Sequence, residues 1–139
     1  MRIDSQTGVV ELEGIGLIGP QSMETFRASA LGRNARLIAV SGRWETYSAA
    51  TASGTEEFAL TLLFFGARLA EIHLAKIKAG ASWANWSKEN ELKTEEEHNR
   101  LLAAVLGQPP YQFSWGEVLS VFDPKSGASK IVVRYKPQP

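Results

Sequence analysis

The sequence predicts an α+β fold: an antiparallel sheet of five to seven strands with two helices packed on one face. Three observations carry this expectation. The most apolar stretch, Phe58 to Lys78, has Gly66 at its centre and sorts its side chains by alternation. The tail, Tyr111 to Tyr135, holds two further alternating runs around the turn Asp123-Pro-Lys-Ser-Gly127. Between them a charged segment carries an apolar stripe of Leu101, Leu102, Val105 and Leu106, ended by Gly107 and Pro109-Pro110.

In chain order, Ile3 and Val9 to Leu12 flank Asp4-Ser5-Gln6-Thr7-Gly8. Asp opens this turn and Gly closes it, which predicts a short hairpin or a strand after a turn. Ser22 is an N-cap candidate with Glu24 in the positive first turn. Met23, Phe26 and Ala30 share one face of the short helix that follows, and Gly32 fits the position that ends it. Leu37 to Val40 and Trp44 to Ser48 read as strands around Ser41-Gly42. Ala49 to Thr55 is small and polar and reads as a loop.

The central stretch has two readings. A helix would be apolar all round, with Gly66 costing about 1 kcal/mol in its interior. A hairpin uses Gly66 as its turn. Centred there, the pairs Phe58/Leu74, Leu60/Ile72 and Leu62/Ala70 share one wholly apolar face, while Thr61/Glu71 and Ala59/His73 fall on a mixed one. A one-residue slip mixes both faces. That segregation favours strands at 58–64 and 69–77 joined by a loop of three to five residues. In the tail, pairing Asp123 with Ala128 sets Glu117 opposite Arg134, Val118 opposite Val133 and Gly116 opposite Tyr135, with strands at 115–122 and 129–135. The helix before it covers at least Glu95 to Leu106. Thr94-Glu-Glu-Glu97 matches a capping box, and Ser87 is an earlier possible start.

Composition narrows the function classes. At 139 residues the chain is expected to form one domain, residues 1–139. Fifteen basic residues cancel fifteen acidic ones, so neither nucleic acid nor an anionic membrane is expected as the main partner. Zero cysteines exclude a disulfide scaffold, a thiol nucleophile and a thiolate metal site. The first residues lack an apolar signal region, which makes the cytoplasm the expected location.

The chemical motifs are few. Gly14-Ile-Gly16-Leu-Ile-Gly19 matches the dinucleotide fingerprint by letter, but Pro20 follows it and Leu37 to Val40 ends without the acid that grips a ribose. Of the histidines, His73 falls on the mixed face of the central hairpin and His98 near the start of the long helix. A lone histidine is more often structural than catalytic. Glu95-x-x-His98 is half of a di-iron motif whose other half is missing. Gly80-Ala-Ser82-Trp-Ala84 misses the nucleophile elbow at its last position. No catalytic residue, metal ligand or cofactor is assigned. The aromatics Trp83, Trp86, Tyr111, Phe113 and Trp115 cluster at the two ends of the long helix. They either fill the junction with the sheet or face a partner. Trp83, Trp86, Tyr111 and Trp115 are the expected partner-binding residues, since interfaces are rich in such side chains.

Trp83-Ala-Asn-Trp86-Ser87, Leu106-Gly107, Tyr111-Gln-Phe113-Ser-Trp115-Gly116, Asp123 to Gly127 and Ile131 to Tyr135 resemble a pattern in small bacterial α+β proteins, from Trp83 onward. No activity attaches to that pattern, so no site residue is carried over. In size and plainness the chain is similar to immunity proteins kept beside bacterial toxins. The expected function is a non-catalytic protein-binding module whose partner is another protein, with an immunity-type inhibitor as one form. The alternative is a small-molecule-binding or small enzymatic domain with a pocket between the long helix and the sheet, lined by Trp115, Tyr111 or His98.

The incomplete glycine motif yields a test. NAD, FAD and ATP at micromolar concentration are expected to leave the melting temperature unchanged. Saturating ligand would add about 2.7 kcal/mol at a hundredfold excess over its dissociation constant, so a shift of several degrees would reinstate the motif.

Overall fold

The computed structural model describes residues 1–12, 16–50, 58–76, 88–123 and 128–137. The chain runs β1 (Arg2–Ile3), β2 (Val10–Leu12), β3 (Gly16–Ile18), α1 (Met23–Ala28), α2 (Ala30–Asn34), β4 (Arg36–Ser41), β5 (Trp44–Ala50), β6 (Phe58–Phe65), β7 (Arg68–Lys76), α3 (Lys88–Leu106), β8 (Tyr111–Phe113), β9 (Gly116–Asp123) and β10 (Ala128–Tyr135). Strands β1, β2 and β3 form a small antiparallel sheet. The other seven form one antiparallel sheet in the order β4-β5-β6-β7-β10-β9-β8, so the α+β expectation holds. Among the described residues no helix is long and apolar enough to cross a membrane.

Alternation divides the large sheet into a covered and an open face. Phe58, Leu60, Leu62 and Phe64 of β6 are all buried, as are Leu69, Ile72 and Leu74 of β7 and Ile131, Val133 and Tyr135 of β10. Helix α1 lays Phe26 against Tyr47 and Phe64, at centroid distances of 5.2 and 4.9 Å. Helix α3 covers β9 and β10, with Leu102 in the core. Its N-terminal half is tied to the sheet by Ser129, whose amide donates to Glu91 Oε2 (3.0 Å) and whose hydroxyl donates to the Glu91 carbonyl (2.7 Å).

The tail hairpin pairs as expected from Asp123↔Ala128 to Gly116↔Tyr135. The central hairpin keeps most of its expected faces but not its register. Leu60 pairs with Leu74 and Leu62 with Ile72, two residues from the expected partners, and a bulge follows between Leu63 and Phe64. An even shift preserves the faces of Glu71 to Leu74, while the bulge carries Leu69, expected opposite Leu63 on the mixed face, to the buried side. The turn has two residues, Gly66 (φ 58°) and Ala67 (φ 67°), both in the left-handed region that such tight hairpins require.

Two helix boundaries also differ. Ser22 does cap α1, its Oγ accepting from the Thr25 amide. The helix, however, ends at Ser29, which also caps α2 by accepting from the Gly32 amide (3.0 Å). Gly32 therefore lies inside a helix and ends none. Its glycine is required by packing, because a Cβ there would collide with the Phe26 carbonyl oxygen. Thr94 is likewise no cap: α3 already runs from Lys88, and Thr94, His98 and Leu102 form its buried stripe at four-residue spacing. Glu95 to Glu97 thus sit in mid-helix, away from the N-terminal dipole that the capping box would have given them.

Helix propensity alone says that Gly32→Ala stabilises by about 1 kcal/mol. The collision with backbone reverses the sign, and a loss of about 1–3 kcal/mol is expected in urea denaturation. A more stable variant would show that the α1–α2 corner relaxes freely.

Candidate functional site

Two features stand out on the part of the molecule that the helices leave bare. The first is a polar chain across the open face of the sheet. Glu71, His73, Lys130, Arg134 and Glu117 come from three adjacent strands, β7, β10 and β9, and strand parity turns them all to the same side. Lys130 Nζ lies 3.2 Å from His73 Nδ1, and His73 Nε2 lies 3.4 Å from Glu71 Oε1. Glu71 Oε1 also accepts from Arg134 Nε (3.3 Å), and Arg134 Nη1 donates to Glu117 Oε1 (2.8 Å). Beneath this chain Val132 is buried.

The chain dictates the state of its histidine. An ammonium can only donate, so Nδ1 must accept from Lys130 and Nε2 must carry the proton given to Glu71. Burial, and next the charge of Lys130, push the His73 pKa below its ordinary value of 6.5, against the opposing pull of Glu71. His73 is a neutral imidazole with both nitrogens occupied, and it has no lone pair free to take a proton from a substrate. Among the described residues no group of three or more His, Asp or Glu could hold a metal ion.

The second feature is a groove of about 590 Å³ along one end of the sheet. Two turns and the end of β10 build it. Strand β4 turns into β5 through Gly42 (φ 60°) and Arg43, and β6 turns into β7 through Gly66 and Ala67. These turns set Trp44 opposite Phe65 on the open face, their rings 5.0 Å apart. Both are exposed, Trp44 by 37% and Phe65 by 43%. The Arg43 guanidinium stands 4.8 Å from the Phe65 ring centroid. Gln21 enters the groove because its carbonyl accepts from the Leu69 amide (2.9 Å) while Met23 donates to Ala67 (2.7 Å). Arg68, Arg134 and Lys136 complete the cationic lining.

Of the residues singled out from sequence, none that is described lines the groove. Trp83 and Trp86 lie outside the described residues. Trp115 is half-buried and has a structural duty. It stacks on Phe113, leans on Tyr135 and donates from Nε1 to the Ser5 carbonyl (3.0 Å). Gly8 passes beneath it so closely that a Cβ would come within 2.5 Å of the indole. Tyr135 closes the same junction, donating to the Gly8 carbonyl (2.7 Å), and burial raises its phenol pKa. Tyr111 is half-buried and donates to the Gly107 carbonyl at the end of α3 (2.9 Å). It lines a separate cleft of about 490 Å³ with Asn99, Gln112, Glu117 and Ser120. His98 is fully buried. Of the glycine motif, Gly14 and Ile15 lie outside the described residues, and Gly16 to Ile18 are strand β3, paired with β2. Sequence reasoning missed Trp44, Phe65, Arg43 and Arg68. The available signal was two aromatics of outward parity, each beside a glycine turn.

No family model, curated protein or solved structure matches this chain.

The His73 environment has a pH signature. Below 6.5 the unfolded chain takes up a proton that the folded imidazole resists. Stability is therefore lost as pH falls from that value through the lower folded one, and the group adds no slope above it. His73→Gln removes this component, so the variant should gain on the wild type between about pH 7 and about pH 5 in urea titrations. A stability difference that stays constant with pH would show that His73 is not held neutral.

Proposed function

We propose that this chain is a non-catalytic protein-binding module that engages its partner at the rim groove. The observation that carries the reading is the exposed Trp44–Phe65 pair, held rigid by two tight turns and flanked by cations. Large aromatic rings with arginine beside them are the side chains on which binding energy concentrates. Pinning them on paired strands lowers the ordering cost of association. The saturated hydrogen bonding of His73 and the burial of His98 support a role without acid–base chemistry. An immunity-type inhibitor of a bacterial toxin is one form such a module takes, in keeping with the chain's size and its likeness to those proteins.

A small-molecule reading rests on the cleft between Asn99 of α3 and Tyr111, Gln112, Glu117 and Ser120 of β8 and β9. Thermal stabilisation by a small compound, abolished by Asn99→Ala, would favour the cleft over the groove.

For the binding reading, the measurement is capture of a partner from the source cell by the immobilised wild type and by Trp44→Ala and Phe65→Ala. Each variant is expected to weaken capture by about 2 kcal/mol, a loss of roughly thirtyfold. Thermal unfolding of both variants separates this from loss of fold. Undiminished capture by the two folded variants would remove the groove from the interface.

A further inference from the structure

The charges of the groove specify what enters it. Four cations, Arg43, Arg68, Arg134 and Lys136, line it against one carboxylate, Glu71. The chain as a whole is neutral, so this excess is local. The four cations are not equivalent. Arg134 is spent on Glu71 and Glu117, at 3.3 and 2.8 Å. Arg43, Arg68 and Lys136 form no ion pair among the described residues. Exposed cations kept together without counter-charges repel one another, and a bound anion relieves that repulsion.

Their placement separates an extended ligand from a point anion. Arg43 precedes β5, Arg68 opens β7 and Lys136 follows β10. Three strand spacings separate β5 from β10, about 14 Å at 4.8 Å per strand. A lone phosphate or carboxylate needs donors that converge on one point. A row of this length instead matches about four residues of extended peptide at 3.3 Å each. The wall between the cations is apolar, made by the exposed rings of Trp44 and Phe65.

We infer that the groove takes an extended acidic peptide segment that carries carboxylates and at least one large apolar side chain on the same face. The carboxylates pair with Arg43, Arg68 and Lys136, and the apolar side chain rests on Trp44 and Phe65. A single-stranded nucleic acid also combines anions with stacking faces. It fits less well, because three unpaired cations make a short track for a continuous phosphate backbone and the chain as a whole carries no net positive charge. This inference rests on the protein-binding reading and names the chemistry of the partner.

The probe is a dye-labelled ten-residue peptide of glutamate pairs and leucine pairs in turn, which shows both side chains on each face when extended, followed by fluorescence anisotropy at low and high salt. Controls are the lysine–leucine and glutamate–serine peptides and a ten-residue oligothymidylate. The glutamate–leucine peptide should bind best and weaken as salt rises. Its affinity should fall at least tenfold with Arg68→Glu plus Lys136→Glu, and fall also with Trp44→Ala. The neutral pair Arg68→Gln plus Lys136→Gln gives an intermediate loss and guards against misfolding by charge reversal. Equal binding of the lysine–leucine peptide, tighter binding of oligothymidylate, or indifference to the charge variants overturns the inference. The same charge variants separate this failure from that of the broader reading. Partner capture that is lost with Trp44→Ala but untouched by Arg68→Glu plus Lys136→Glu would leave the module standing without an acidic partner. Capture that survives Trp44→Ala and Phe65→Ala would remove the groove from the interface, and this inference with it.

Discussion

The structure depends on the one-sided burial of β7 between β6 and β10. This strand is fourth of seven in the large sheet and lies between the β4–β6 half and the β8–β10 half. Leu69, Ile72 and Leu74 point to the helices, and each pairs with or neighbours a buried side chain of β6 or β10. Because side chains alternate along β7 beyond its bulge, the burial of Ile72 and Leu74 sends Glu71 and His73 to the other face. There they meet Arg134 and Lys130 across the β7–β10 pairing. The polar chain on the open face is thus a consequence of the core beneath it. Its members satisfy one another because a half-covered sheet has no second layer to satisfy them.

The N-terminal sheet is attached by a different device. Its own core is small, made by Ile3, Val10, Leu12 and Ile18, and strands of two or three residues do not hold alone. The Asp4–Gly8 turn, held by Asp4 Oδ1 accepting from Gln6 and Thr7, is gripped by Trp115 and Tyr135 at the far end of the chain. Gly8 serves twice here, since it takes a left-handed φ of 76° and leaves room for the indole. Trp115 closes a contact between residues more than a hundred positions apart.

What could be read from sequence follows from how local each cause is. The β9–β10 register was legible because Asp123 and Ala128 bound a turn of strong local chemistry and the parity of Val118, Ile131 and Val133 agrees with it. In the β6–β7 hairpin the parity of Phe58 to Phe64 revealed the faces, but parity is blind to an even shift. The tight turn uses Ala67 at positive φ, where an alanine is not expected. Gly32 and Thr94 each obey a local rule that something else overrides: the Ser29 cap restarts the helix before Gly32, and burial on the core side of α3 claims Thr94. The groove was the least legible part. Gln21, Trp44, Phe65 and Lys136 share no motif, and only the folding of two turns and a strand end to one rim makes them a surface.

The contrast between the open face and the rim bears on what each is for. On the open face every charge of the Lys130–Glu117 chain has a partner within 3.4 Å, so its desolvation is already met internally and it offers an incoming molecule little to gain. At the rim, two aromatic rings remain partly in water and three cations lack counter-charges among the described residues. Exposed apolar area and uncompensated charge both carry free energy that association can recover. They lie together on rigid turns, where little ordering is needed to bind. The paired charges of the sheet stabilise and orient one another, and the unpaired ones at its end are where the proposed partner would gain most.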